Sequence, residues 1–259
     1  MRQSIIFILY LLCTFTARSQ SVLTPEQAGS IYYAYPAPPS TYTSAPAGYE
    51  PFYISHYGRH GSRWMTADER YTEVICVFDS LYQCSELTPL GVDVRKRLHK
   101  VWEDARGCSG SITPLGERQH REIAERMYRN FPQVFRGGAF IDARSSTSLR
   151  CAMSMSYFTE RLKELNPGLQ VNRRAYHRYM DYIAYTSPEG EKFASEKAPW
   201  RRGFREFEKK NVRPERLMAS LFVKPEAITD QDAMMRSLYW IAADMQNVEL
   251  DLSFYDIFE

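Results

Sequence analysis

The 259-residue chain has almost no net charge, no close pairing of cysteines, no glycine-rich loop of the nucleotide-binding kind and no internal repeat. Each of these absences closes off a class of function. With 33 basic against 31 acidic residues the formal charge is only +2, so nothing global favours nucleic acid, and an anionic partner must be held by a local cluster. Cys76 and Cys84 are too far apart for a zinc knuckle and no second close pair follows, so none of the cysteine spacings looks like a zinc site. The apolar run from Ile5 to Phe15 falls short of the roughly 20 residues that span a bilayer. With Arg2 before it and Ala17-Arg18-Ser19 after it, residues 1–20 read as a secretory signal, which implies a periplasmic or secreted protein without a stable membrane span once the signal is removed. Leu12 before Cys13 argues against lipid attachment there. In an exported chain, Cys76, Cys84, Cys108 and Cys151 can close two disulfides in any of three pairings, and the sequence does not choose among them.

What is present is the composition of a soluble globular protein, 44% hydrophobic, 14% aromatic and 25% charged. Residues 21–50, rich in Pro, Ala, Ser, Thr and Tyr, read as an extended surface strap. Pro51 to His56 then has strand character, with Gly58 and Gly61 bracketing the tight backbone after it. Apolar spacing predicts helices over 68–83 and 89–106. A clearer helix is capped by Thr113, with Pro114 at its first position and Pro132 beyond its end. Residues 139–143 are a second strand, and a further helix is entered through Ser145, Ser146 and Thr147. Alternating strands and helices predict an α/β three-layer sandwich with a mainly parallel sheet over 51–170. Residues 171–259 follow as a last segment, read as a helical insertion only through the resemblance given below. In such folds sites lie beyond the carboxyl ends of the strands. His60 follows the first strand, and Arg150 lies near the start of the helix after the second. A helix N-terminus and forked arginine donors suit a phosphate. Arg59 and Arg63 beside His60 also disfavour its protonation and leave a nucleophilic nitrogen free in mild acid.

Three boxes in order carry a family resemblance. "GRHGSRWMT" resembles the R-H-G-x-R-x-P-T box of the histidine acid phosphatases, "ITPLGERQH" is similar to their L-T-x-x-G-x-x-Q box, and "SSTSLRC" resembles the S-T-S-x-R-C stretch of the branch holding the multiple inositol polyphosphate phosphatases and phytases. The resemblance covers most of residues 45–165 and implies a phosphoglycerate-mutase-like fold and a phosphomonoesterase. In that reading His60 is the nucleophile that forms a phosphohistidine, Arg59, Arg63 and Arg150 hold the phosphoryl oxygens, and Thr66 contacts substrate. Gly61 allows close approach and orients His60 through its carbonyl, while His56 is a further pocket residue. The implied partner is a phosphorylated small molecule, inositol phosphates foremost, with broad acid phosphatase activity as the alternative. Met65 stands where the family has Pro. His56, His60, His99, His120 and His177 are the only histidines, and none is followed by Asp or Ala-Glu, so the family's general acid is not assigned here. The end at "SFYDIFE" suggests a partial chain with an incomplete sheet and unpaired edges. A non-catalytic phosphate-ester binder is the competing reading. Arg144, His120 and the basic stretches 171–180 and 199–216 read as alternatives or as solvated and packing residues.

Overall fold

The computed structural model describes residues 24–37, 43–183, 186–250 and 252–258, and the expected signal over 1–20 lies outside them. The elements in chain order are α1 (Pro25–Ala28), α2 (Glu69–Gln83), α3 (Pro89–Ala105), α4 (Pro114–Asn130), β1 (Phe140–Arg144), α5 (Leu149–Leu165), β2 (Gln170–Arg174), α6 (Met180–Ile183), α7 (Pro188–Ala194), α8 (Trp200–Asn211), α9 (Pro214–Leu221) and α10 (Gln231–Asp244), joined by short 3-10 turns. The protein is thus mixed α/β and mostly helical, with a small parallel sheet. Among the described residues no helix is long and apolar enough to cross a membrane.

Two apolar clusters organise these elements. In α2 the spacing Tyr71, Val74, Ile75, Phe78 puts one stripe inward. In α3 the stripe is Val94, Leu98, Val101 and Ala105, started by Thr88, whose hydroxyl accepts the Gly91 N–H at 3.1 Å. These faces meet Leu217, Met218 and Leu221 of α9 and Leu238, Ile241 and Ala242 of α10. Each large side chain fully buried there contributes about 1.5–3 kcal/mol. A smaller cluster of Ala124, Phe135, Leu162 and Leu169 packs α4 and α5 beside the sheet. β1 and β2 run parallel in the register Phe140↔Gln170 to Arg144↔Arg174.

Several sequence expectations change. Residues 51–56 are extended but form no strand. Among the described residues no ladder bonds their backbone, Phe52 and Tyr53 both face solvent, and only Ile54 packs against the smaller cluster. Among the described residues β1 is paired on one side only, by β2. β2 escaped the period-two signal because its arginines are held by polar neighbours: Arg173 Nε donates to Thr159 Oγ1 at 2.7 Å and Arg174 pairs with Asp142 at 3.0 Å. The strap is not uniformly extended. It makes α1 and a 3-10 turn, and Tyr32 from that turn is buried in the main core. The helix after β1 begins at Leu149 with Ser148, not the preceding residues, in the cap position. The expected disulfides are absent among the described residues, where Cys76, Cys84, Cys108 and Cys151 are all free thiols. Cys76 and Cys84 lie eight residues apart along α2 and its end, roughly 12 Å, which is beyond the reach of a bridge.

Candidate active site

The loop 59–66 runs between the two clusters and is held by the start of α4. The Ser62 N–H donates to Gln119 Oε1 at 2.8 Å while Gln119 Nε2 returns a bond to Ser62 Oγ at 2.9 Å. The Ser62 carbonyl accepts from both the backbone N–H of Thr113, at 3.0 Å, and its hydroxyl, at 3.2 Å. Thr113 also caps α4 through the Gly116 N–H, so one residue both starts the helix and fixes the loop. From α5, Ser154 Oγ accepts the Gly61 N–H at 3.1 Å. Gly61 and Gly116 face each other so closely that a methyl on Gly61 would sit 2.5 Å from the Gly116 carbonyl oxygen. Arg63 bridges to Ile112 and the Trp64 N–H bonds to the Ser111 carbonyl, extending the grip. The second sequence box is therefore a clamp on the first.

Within this frame the His60 ring is fixed by its Nδ1, 2.8 Å from the Gly61 carbonyl oxygen. A carbonyl only accepts, so Nδ1 carries the proton and Nε2 keeps its lone pair. The His60 pKa is lowered to about 4, chiefly by burial; the bond to the Gly61 carbonyl pulls upward, and the positive charges of Arg63, Arg150 and Arg59 each add a smaller downward push. Burial outweighs the arginines that sequence reasoning credited. The three cations nevertheless converge on one imidazole, and their remaining donors differ. Arg63 Nε and Arg150 Nε are buried without a protein partner, whereas the fork of Arg59 turns to the strap, donating to the carbonyls of Tyr33 at 2.7 Å and Ile31 at 3.3 Å and stacking on Tyr35. Arg144 is engaged elsewhere, with Asp142 at 2.7 Å and over Tyr179.

Thr66 and Arg150 Nη1 meet at Gly110, where φ is +68° and a methyl would lie 3.8 Å from each. Gly110, which sequence reasoning passed over, leaves room for that corner. His56 stacks on Phe158 with centroids 5.1 Å apart, and desolvation lowers its pKa. His120 proves buried, edge-on to Tyr35, with Nε2 unpartnered and a pKa lowered to about 4 by burial first and by His56 and His60 next. It lines the same cleft of about 550 Å³ as His60, His56 and Arg59, whose other walls include Phe52, Ile54, Phe140 and Phe158. The sequence signal for His120 was its place next to Gln119 on the inward side of α4. Among the described residues no group of His, Cys, Asp and Glu is arranged to hold a metal.

The two depressed histidines set an acid limit on stability. Their folded pKa values lie below the usual 6.5, so the unfolded chain binds more protons between pH 6.5 and 4, and stability falls as pH drops through that window. For the buried His120 alone the loss is on the order of 3 kcal/mol. The melting temperature of the wild type relative to that of His120→Gln should fall steadily from pH 6.5 toward 4, a comparison that cancels the opposite titration of the buried Asp244 carboxyl, raised to about 7 and common to both; a constant difference down to pH 4.5 would contradict the burial of this imidazole.

No family model matches the chain, and no curated protein matches it. Among solved structures, the multiple inositol polyphosphate phosphatase of Bifidobacterium longum in complex with inositol hexasulfate is similar at a TM-score of 0.61 and 16% identity, over 88% of this chain and 66% of that one. The same phosphatase in complex with phosphate gives a TM-score of 0.60 at 19% identity, over 88% of this chain and 64% of that one. The chain therefore spans just under two thirds of the length of these neighbours, and what it shares with them is the fold: mostly helical α/β with a small parallel sheet.

Proposed function

We propose that this chain carries the nucleophile of a phosphomonoester hydrolase that works through a phosphohistidine on His60. The observation that carries the reading is the pair of buried, unpartnered Nε–H donors on Arg63 and Arg150, together with a neutral imidazole whose Nε2 is free. Buried guanidinium donors without partners are costly, and a phosphoryl group supplies acceptors of matching geometry. In the first step the Nε2 lone pair forms a bond to phosphorus as the ester P–O bond breaks, and the departing oxygen takes a proton from solvent water. In the second, water attacks the phosphorus of the phosphoramidate, loses its proton to solvent, and the P–N bond breaks to release inorganic phosphate and the neutral ring. Arg63 and Arg150 bind the equatorial oxygens, with Thr66 at the edge. Arg59, already committed to strap carbonyls, adds charge rather than a new bond.

Inositol polyphosphates are the proposed substrates, in periplasmic or secreted surroundings. The neighbour's bound inositol hexasulfate, whose sulfates stand for the phosphates of the hexakisphosphate, supports this. A broader phosphomonoesterase is favoured by a different observation, the aromatic and aliphatic walls of the cleft beside His60. Phosphate release from inositol hexakisphosphate and from an aryl phosphate distinguishes them. Arg150→Ala should reduce release from either by roughly 100- to 1000-fold. An unchanged rate in Arg150→Ala, or a wild type that neither cleaves nor binds phosphate, would refute the proposal. Because the nucleophile must be unprotonated, kcat/KM should hold from pH 7 to 5 and fall only toward pH 4, where His60 titrates. A fall centred near pH 6.5 would mean that His60 is not shielded.

A further inference from the structure

The most deeply buried carboxylate in the main core belongs to Asp244, at the end of α10, and the chemistry above does not use it. Its surroundings lead to the site. Asp244 Oδ2 accepts from the Tyr71 hydroxyl at 3.1 Å, and the same hydroxyl oxygen accepts the Met65 N–H at 3.0 Å. Asp244 Oδ1 accepts from Asn247 Nδ2 at 3.2 Å, and the other hydrogen of that amide goes to the Tyr32 carbonyl at 2.7 Å. The ring of Tyr32 lies 5.1 Å from the guanidinium carbon of Arg63, which is itself buried and whose Nη1 donates to the Trp64 carbonyl at 2.9 Å. One carboxylate therefore anchors both sides of Arg63: the loop two residues beyond it, through Tyr71, and the aromatic face beneath it, through Asn247.

We infer that Asp244 and Tyr71 are positioning residues for Arg63, fixing the direction in which its free Nε–H points. The inference rests on the reading of Arg63 as a phosphoryl ligand. Burial raises the Asp244 pKa, and the Tyr71 bond, the charge of Arg63, the Asn247 bond and the Met65 N–H restrain that rise, leaving it at about 7. Met65 makes the network available to this chain: proline, which the resembling family carries here, has no N–H to give Tyr71.

Two full-length variants test it, Asp244→Asn and the milder Tyr71→Phe, which keeps the buried ring. The readouts are the affinity for inorganic phosphate, alone and in an Arg63→Ala background, and the NMR resonance of the Arg63 Nε–H. Tyr71→Phe should weaken phosphate binding about 10-fold, roughly the worth of one charge-assisted hydrogen bond, and should add nothing once Arg63 is gone. It should also shift or broaden the Arg63 Nε–H signal. Equal weakening with and without Arg63, or an unaltered Nε–H resonance, would overturn the inference. A wild type that binds no phosphate would remove the phosphoryl reading instead, and the resonance would still decide whether Tyr71 positions Arg63.

Discussion

His60→Ala is expected to lower kcat for phosphomonoester hydrolysis on the order of 10,000-fold or more while leaving the fold intact. The size of the loss follows from the chemistry. Without Nε2 there is no covalent intermediate, and water must attack phosphorus directly among arginines arranged for a two-step path. Binding should survive better than turnover, because the donors on Arg63 and Arg150 remain. The fold should survive because the His60 side chain is only partly buried and its hydrogen bond goes to the adjacent residue. Stability offers a second signature of opposite sign. The wild-type imidazole has a folded pKa of about 4, so removing it removes part of the acid penalty, and His60→Ala should melt higher than wild type at pH 5 though not at pH 7.5. Calorimetry at the two pH values, beside steady-state kinetics, checks both halves. Residual activity within about 10-fold of wild type would mean that another group attacks phosphorus.

The second large effect comes from a residue that touches no substrate. Gly116→Ala should destabilise the protein by about 3 kcal/mol or more and reduce activity with it. A methyl there would run into the Ser62 carbonyl, with the Ser62 nitrogen and Ile112 Cγ2 each only 2.8 Å away. Backbone atoms cannot rotate aside as a side chain can, so the loop must lift off α4. Lifting it breaks the Ser62 bonds to Gln119 and Thr113 that hold His60 in place. Gly203, within α8 and with open space where a methyl would go, is the control: Gly203→Ala should stabilise by roughly 0.5–1 kcal/mol through helix propensity. Denaturant unfolding of the two variants measures the contrast. A Gly116→Ala protein within about 1 kcal/mol of wild type would show that the loop and helix are not in the close contact described.

How much of this was legible in sequence depends on whether a signal is local. α3 announces itself through its apolar spacing and α4 through Thr113 as a cap followed by proline at the first helical position, while the matching cap of α3, Thr88, emerges only from the structure. The convergence of Arg63 and Arg150 on His60 was legible only because several boxes coincide, since chain positions so far apart carry no contact information of their own. Strand character failed at 51–56, because apolar alternation states what a segment prefers and a strand also needs a partner backbone. It failed at β2 for the reverse reason: Arg173 and Arg174 looked like solvated charge until Thr159 and Asp142 appeared opposite them. Tyr32, read as part of a surface strap, lies in the core beneath Arg63 because the strap folds into a short helical turn first. Met65, a departure expected to affect the turn, also sends its N–H to Tyr71 and its side chain into the main core. Of the two readings open for His120, surface or packing, burial in the cleft gives the second.

Chemical trapping on the nucleophile tests the account most directly. The protein is incubated with a phosphate ester carrying labelled phosphorus, quenched in alkali, and digested, and the labelled peptide is sequenced. The account predicts an alkali-stable, acid-labile label on His60, absent from His60→Ala and reduced in Arg150→Ala. Label retained in His60→Ala, or located on any other residue, would contradict it.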